Sequence, residues 1–433
     1  MKEPITIKVD GIEYSYWDSA DIVSEAFNIC RAFTVGMTVK APGMSTFVDT
    51  FHPGQSCEVF IGNDLVCTGY IDQTPVNYTA TSMQAQIIGH SKTIDLVECT
   101  VAPQGESIKA LTGMNSARWS VPKPPVPDGY TLIPSPASVT ALTWRGSIKL
   151  YSLIAQLIAP YGIRLLVNNE ALSKDQTLTG HDIDIEKKVL DAISELVKEH
   201  GLWVTDNEYG DLVISTPGAG MCLNSLDLGG NVLSGSITRN ASKLFTVSDV
   251  AATEPSTKKK SGKDASQIPA RAEMTSDGKA ASGLTRFRYK RVKNDHADNA
   301  KAQKQAVSDL EYELGQFFKA SYSVQGWRQL PDKSSSPLWT VNAKVPINDN
   351  VLYGSKGTGI EMVTSKVEFV LDLNGGMITN IDVVPKSGLR EQNQSSGGQS
   401  KPSETKAGFA NKNKSSGLAM TVIGADGTEK IVT

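Results

Sequence analysis

The sequence predicts a mainly β fold with α+β character: a β domain, a helix-containing middle domain and a second β domain with one long helix. Three observations predict it. Apolar residues alternate with polar ones near the start of the chain and again after about residue 320, which is the period-2 signature of half-buried strands. Two segments between residues 146 and 216 carry a helical period, and a proline-rich stretch separates them from the first β region.

The length and charge of the chain limit the number of domains and the kinds of partner that we expect. It has 433 residues, of which 39% are apolar and 21% charged, and its formal net charge is −3. This length exceeds what one apolar core usually organises, so we expect about two to four domains. A near-neutral balance gives no electrostatic reason to bind nucleic acid or an anionic membrane.

The cysteines predict a protein that folds in a reducing cytosol. There are five, and no pair has the C-x-x-C spacing, so we expect no disulfide framework. The N-terminal residues contain no apolar signal-peptide core, and no stretch approaches the roughly 18 apolar residues of a membrane span. If the protein leaves the cell, we therefore expect its release by lysis or by a dedicated machine and not by the general secretory route, and we expect no direct membrane insertion.

Residues 1–100 are predicted to form the first β domain. Ile5, Ile7 and Val9 alternate with polar neighbours, and residues 59–67 read as strand, tight turn and strand. Several short strands at this spacing are typical of a small antiparallel barrel or sandwich.

Residues 101–230 are predicted to form a middle α+β domain. It opens on a loop with six prolines, which lack the amide hydrogen that ladders need: Pro122, Pro124, Pro125, Pro127, Pro134 and Pro136. One helix is expected to end at Pro160, and a second to run over about 184–200 with Gly201 after it. A β-hairpin is expected from the apolar runs 202–204 and 212–214.

Residues 231–388 are predicted to form the second β domain. Its segment 251–285, with a lysine-rich run, is expected to be a mobile surface loop, with a docking arm as the alternative. A helix is expected over about 294–319, followed by strands at 322–324, 339–347, 361–373 and 377–384. Residues 389–433 are expected to form a flexible Ser/Gly/Lys-rich tail that contains a short hairpin between 419–423 and 431–432.

No pattern in the sequence predicts a catalytic, cofactor-binding or metal-ligating residue, and we expect no enzyme. His181, Asp182, Asp184 and Glu186 could supply metal ligands, but acidic residues at a helix start also serve as caps and favour the dipole. We prefer the capping interpretation. The zinc-binding spacings, the H-E-x-x-H motif and the EF-hand loop are all missing from the sequence.

Nucleophilic catalysis has no better candidate. His90 and Ser91 are adjacent, but neighbours on a strand face opposite sides and cannot act as base and nucleophile together. A glycoside hydrolase needs two carboxylates at a set separation; with 46 Asp and Glu residues some pair meets any separation, and nothing in the sequence favours this class. Trp327 and Trp339 flank a polar loop, where core packing is preferred over a sugar or nucleic-acid platform.

The order of several short motifs resembles the Mu-like baseplate hub family, the P protein of contractile-tailed phages. The similarity spans roughly residues 5–388, and the segments that carry it are 9–17, Ala32-Phe33, 53–62, 68–72, 89–97, 186–215, 326–328 and 338–342. The family often has arginine where His90 stands. In the segment 68–72, Gly69 is expected to let the backbone turn.

The resemblance implies two small antiparallel β-barrel domains and a middle domain in a ring-forming hub. Three subunits then give six similar barrels, which meet a sixfold tail tube on one side and a threefold spike on the other. The implied partners are two further copies, a spike or puncturing protein, a tube or tube-initiator protein and baseplate wedge proteins. DNA passes through the lumen without specific binding, and no cofactor is implied. The implied location is the virion baseplate, after assembly in the host cytoplasm.

Two alternatives stay open. A hub of a type VI-like secretion spike is the first, although such chains carry a long β-helix after the hub, for which the residues after 388 are too few. A peptidoglycan-degrading or sugar-binding tail enzyme is the second, and it belongs to a different class.

Overall fold

A computed structural model gives the architecture of the chain. It describes residues 3–26, 28–40, 45–102, 124–134, 146–179, 183–198, 200–253, 267–294, 299–331, 333, 335–372, 376–389, 420–423 and 429–432. The mainly β class is confirmed. Pro122 and Pro136 of the proline-rich stretch, His181, Asp182 and most of the predicted tail lie outside the described residues.

Eight strands form the first β module: β1 Ile5–Val9, β2 Ile12–Tyr14, β3 Ser19–Glu25, β4 Asn28–Lys40, β5 Ser56–Ile61, β6 Asp64–Gln73, β7 Val76–Tyr78 and β8 Ser82–Ser91. Two short helices accompany them, α1 Ser45–Thr50 and α2 Ile94–Glu98. The strands pair in the order β2-β1-β5-β6-β8-β4-β3, and every pairing is antiparallel. In β1, the predicted alternation is confirmed because Ile5, Ile7 and Val9 are all buried.

Glycine at position 69 has a different role from the predicted one. Gly69 lies inside β6 opposite Ser91, so the expected turn is wrong. A Cβ atom there would lie 1.8 Å from the carbonyl oxygen of His90. Glycine is therefore required because two strands approach each other closely.

The helices and strands of the described part of the middle domain are β9 Tyr130–Ile133, β10 Ser147–Lys149, α3 Leu150–Ile158, β11 Leu165–Asn168, α4 Asn169–Leu172, β12 Thr177–Thr179, α5 Val189–Lys198, β13 Trp203–Asp206 and β14 Leu212–Ser215, with a 3-10 turn at Ala159–Tyr161. The first predicted helix and the hairpin β13–β14 are confirmed. The second helix begins at Val189, later than predicted. Within the predicted loop, β9 adds to β11 as a short strand.

The second β module begins with β15 Gly220–Met221, β16 Leu226–Asp227 and β17 Val232–Ile237, and it continues with β21 Ala320–Gln325, β22 Ala343–Asn348, β23 Ile360–Asp372 and β24 Gly376–Val384. The order β17-β21-β24-β23 is antiparallel, and β23 also pairs with β22. The hairpin β23–β24 is confirmed. The predicted strand over 339–347 begins only at Ala343.

A small helix-covered sheet is inserted in this module. It consists of β18 Val247–Thr253, β19 Gln267–Glu273, β20 Tyr289–Asn294, α6 Ser276–Ser282 and α7 Asn299–Phe317. The central strand β18 pairs antiparallel with β19 and parallel with β20, while α7 packs on one face through alanines, a valine and a leucine. The prediction of a surface loop over 251–285 is therefore wrong for β19 and α6. The lysine-rich run of that loop lies outside the described residues.

The two β modules are joined by strand pairing. Strand β3 pairs antiparallel with β23 over six residue pairs, from Ala20–Leu371 to Glu25–Lys366. One apolar core contains buried residues of both modules, including Phe33, Ile71, Tyr322 and Ile381. Near the end of the chain, β25 Met420–Ile423 and β26 Glu429–Val432 form the predicted hairpin, which continues the sheet at β2.

Candidate functional site

The histidine and serine on β8 lie on opposite sides of the sheet, as the strand geometry predicts. His90 Nδ1 contacts a carboxylate oxygen of Asp72, whereas the buried Ser91 donates its hydroxyl hydrogen bond to Asp206 Oδ2 at 2.5 Å. The two side chains therefore do not form a base–nucleophile pair.

The acidic residues before α5 cap a turn. Asp184 Oδ1 accepts a hydrogen bond from the backbone nitrogen of Glu186 at 2.9 Å. Asp184 therefore caps a turn, and the prediction that it caps the helix is wrong because α5 begins only at Val189. Among the described residues, no three histidine, cysteine or carboxylate side chains are grouped as metal ligands.

Both tryptophans that flank the polar loop are buried. Trp327 and Trp339 are each 2% exposed, and the indole nitrogen of Trp327 donates to the carbonyl of Val370 at 3.1 Å. The core interpretation is confirmed for both rings.

Buried cysteine thiols are poor candidates for chemistry. Burial raises the pKa of Cys30 and of Cys67 well above the usual range. The thiolate is the nucleophile and the metal ligand, so neither group is activated for either role. Over the described ranges, no helix has the combined length and apolar character that a membrane span needs.

The structure forms several groups of contacts between its domains, which we call joints. The first joint links the first β module to the middle domain through a buried ion pair. Arg31 Nε donates to Asp206 Oδ1 at 3.0 Å, and Arg31 Nη1 donates to the carbonyl of Val66 at 2.9 Å. Thr93 adds a hydrogen bond to the second oxygen of Asp206 at 3.3 Å. Burial raises the pKa of Asp206, against the opposing effects of Arg31 and Ser91.

A second joint brings all three units together. Trp203 of the middle domain is 1% exposed and packs with Ala26 of the first module and with Val363, Val384 and Leu389 of the second. Its indole nitrogen donates to the carbonyl of Ala26 at 2.7 Å. One ring therefore fills the point where the three units meet.

The remaining joints fix the second β module to both other units. Asn342 Nδ2 donates to Ser215 Oγ at 3.0 Å. Arg328 donates through Nε to Glu3 Oε1 at 2.6 Å and through Nη2 to Asp64 Oδ2 at 2.7 Å. Sequence reasoning missed all of these contacts, because each joins residues more than 100 positions apart and no local pattern marks them.

The second β module exposes large apolar side chains on β15, on β17 and in the segments that follow β15, β16 and β22. We call this group the apolar edge, and it consists of Met221, Leu223, Leu228, Leu233 and Val351. Their exposed fractions are 70%, 68%, 47%, 57% and 74%, in that order. Strands β15 and β16 run along the outer side of β22, and β17 pairs only with β21 among the named strands.

Four of the five side chains of the apolar edge lie within residues 221–233. Exposed apolar side chains scattered singly are ordinary on a protein surface, but contiguous groups mark places where another molecule binds. The signal in the sequence was the apolar content of residues 221–233, a segment for which no element was predicted.

Two family models match the chain. Residues 4–91 match the model of the Mu phage baseplate assembly protein GpP-like, N-terminal. Residues 131–216 match the model of the baseplate hub protein gp44-like, second domain. The baseplate hub protein gp44 of Escherichia phage Mu is 25% identical over 394 residues, which cover 90% of this chain and 89% of that protein.

Solved tail proteins share the fold. The 43 kDa tail protein of prophage MuSo2 from Shewanella oneidensis superposes with a TM-score of 0.67 at 22% identity, over 90% of this chain and 100% of that one. The tail protein from Neisseria meningitidis MC58 gives a TM-score of 0.61 at 17% identity, over 90% and 99% of the two chains. The resemblance drawn from the short motifs is confirmed: residues 4–91 and 131–216 match models of Mu-like baseplate hub domains, and 90% of the chain is similar to the hub protein of phage Mu.

Proposed function

We propose that this chain is the structural baseplate hub of a contractile phage tail or tail-like particle, and that three copies close into a ring. Each copy brings two β modules, so a ring of three contains six. Such a ring adapts a sixfold tail tube on one side to a threefold, membrane-puncturing spike on the other. Its mechanism is permanent, shape-complementary contact and not turnover.

The observation that carries the proposal is the union of the two β modules in one subunit. Strand pairing between β3 and β23 and a shared apolar core hold the modules together. A subunit in which the two modules moved independently would not hold six modules at fixed positions around an axis.

The apolar edge supports the contact between copies. Closed rings use the same heterologous contact repeatedly, and the core of a permanent interface is more apolar than the rest of the surface. We place the apolar edge in the contact with the next copy. The other partners in the proposal are the spike protein, a tube or tube-initiator protein and the wedge proteins.

The proposal also covers location. The chain is assembled in the host cytoplasm and resides in the tail baseplate of the virion, where DNA passes through the lumen of the ring. Neither membrane insertion nor a cofactor enters this role.

Light scattering on the purified full chain, after size-exclusion chromatography, tests the ring. The proposal predicts the mass of three chains at micromolar concentration. A mass of one chain across the accessible concentration range would contradict it.

A further inference from the structure

The helix-covered sheet has a second face, opposite α7, that carries exposed aromatic and basic side chains. Helix α7 packs on one side of the sheet. The opposite side presents Asp249 on β18, Arg271 on β19, and Tyr289 and Arg291 on β20, with Phe287 just before β20. We call this surface the aromatic face.

Hydrogen bonds within this chain fix the side chains of the aromatic face. Asp249 is buried, and its carboxylate accepts hydrogen bonds from Arg271 Nε at 2.8 Å and Nη2 at 2.9 Å. The hydroxyl of Tyr289 donates to the same carboxylate at 3.0 Å. The hydrogen bonds from Arg271 lower the pKa of Asp249, so the carboxylate stays ionised and continues to position the Tyr289 ring.

Two aromatic rings on this face are exposed and parallel. Phe287 is 76% exposed and Tyr289 is 41% exposed. Their planes differ by 10°, and their centroids are 6.3 Å apart. A planar group can stack on such rings without the ordering cost of a mobile side chain, because Tyr289 is already fixed by Asp249.

The surroundings of the rings are basic. The Arg271 side chain is 62% exposed, and Arg286 and Arg291 are also exposed. Glu273, which β19 places on the same face, is an exposed carboxylate near them. Among the described residues of 238–331, the only other large apolar side chain that is exposed is Val307, which lies on α7. The described face therefore offers rings and an excess of cations over exposed carboxylates but no large aliphatic side chain, which favours an anionic ligand with planar rings over an acidic protein.

We propose that the aromatic face binds single-stranded nucleic acid, with unpaired bases stacked on Phe287 and Tyr289 and phosphates beside Arg271 and Arg291. Aromatic rings in a basic surface are the usual means of binding single strands without sequence preference. The near-neutral charge of the whole chain gave no reason to expect this, because the local excess of cations is balanced elsewhere. This proposal does not depend on whether three subunits close into a ring.

Fluorescence anisotropy with the full chain tests the proposal. The probe is a labelled oligothymidylate of about 20 nucleotides, long enough to cover one site, at about 50 mM and about 200 mM salt. We expect binding that weakens as salt rises. Phe287→Ala is expected to raise Kd about tenfold through lost stacking, and Tyr289→Phe to keep most of the affinity because the ring remains.

Matched controls separate stacking from charge and from surface loss. Tyr78→Ala removes an aromatic ring that is 83% exposed in the first β module, and it should leave Kd unchanged. An abasic oligonucleotide of the same length should bind more weakly than oligothymidylate. Circular dichroism of each variant should match that of the parent, since the rings removed in Phe287→Ala and Tyr78→Ala are largely exposed and Tyr289→Phe keeps its ring.

Four results would overturn the proposal. They are no binding of oligothymidylate, an unchanged Kd in Phe287→Ala, equal binding of the abasic strand, and binding of polyglutamate with the same dependence on Phe287. The last of these would assign the face to an acidic protein partner. None of the four depends on whether the chain forms a trimer.

Discussion

Single side chains carry the contacts between the three units of this subunit. Asp206 is almost completely buried and holds Arg31 across the first joint, and Trp203 closes the point where all three units meet. A buried carboxylate is tolerated only when its oxygens are hydrogen-bonded. Arg31, Ser91 and Thr93 supply those bonds.

Asp206→Ala is expected to destabilise the subunit by about 3 kcal/mol, because Arg31 then remains without its buried partner. Chemical denaturation measures the change in the free energy of unfolding. Glu13→Ala is the control, because it removes the ion pair between Glu13 and Lys8. The Glu13 side chain is 43% exposed, and surface ion pairs contribute about 0–1 kcal/mol to stability. Equal losses in the two variants would show that the first joint does not depend on Asp206.

Trp327→Ala is expected to cost about 3–5 kcal/mol, because the ring is buried and its removal leaves a cavity. Thermal and denaturant unfolding of the purified variant measure this loss. A change below about 0.5 kcal/mol is typical of surface positions, and it would place Trp327 outside the core.

Secondary elements with a clear period could be predicted from the sequence. Strand β1, helix α3 and the hairpin β13–β14 were predicted because burial follows their periodicity. Strand β19 and helix α6 were not predicted, because small and polar residues dominate both segments. Strand β19 is formed by its pairing with β18, and α6 by its packing near α7. Gly69 was placed in a turn because a glycine motif does not reveal the approach of a distant strand.

Helix α7 offers a test at the scale of an element. A Cβ atom on Gly315 would lie 2.3 Å from the backbone nitrogen of Gly388. Alanine is normally favoured over glycine inside a helix by roughly 0.5–1 kcal/mol. At this position we expect the opposite sign, a loss of about 1–3 kcal/mol, because the helix has to move away from a backbone segment.

The free energy of unfolding of Gly315→Ala, measured in urea, checks the sign. Val307→Ala on the exposed side of α7 is the control, and it should change stability by less than about 0.5 kcal/mol. A more stable Gly315→Ala protein would mean that α7 and the turn at Lys386–Gly388 do not pack as closely as the structure has them.

For the whole molecule, the sequence predicted the fold class and the family resemblance, but it did not predict how the three units are joined. Two β regions and a middle domain could be predicted from periodicity. The continuous sheet through β3 and β23 could not, because it pairs residues about 350 positions apart. The apolar edge was equally invisible, since exposure is a property of the folded surface and not of residue type.

A charge in the apolar edge is expected to weaken the contact between copies. Leu233→Asp should lower the association constant of the trimer at least about tenfold, because an unpaired carboxylate would be buried in the contact. Light scattering over a range of concentrations measures this constant. Val48→Asp, at a position that is 55% exposed in the first β module, is the control and should leave the trimer intact. If Val48→Asp dissociates the trimer and Leu233→Asp does not, the contact between copies lies on the other module.

We expect three subunits, each with two joined β modules, to close around one axis. Cryo-electron microscopy of the purified chain measures this arrangement. The expected map is a threefold annulus in which six β modules surround an open lumen. A map with a different symmetry, or with only one β module of each subunit lining the lumen, would contradict it.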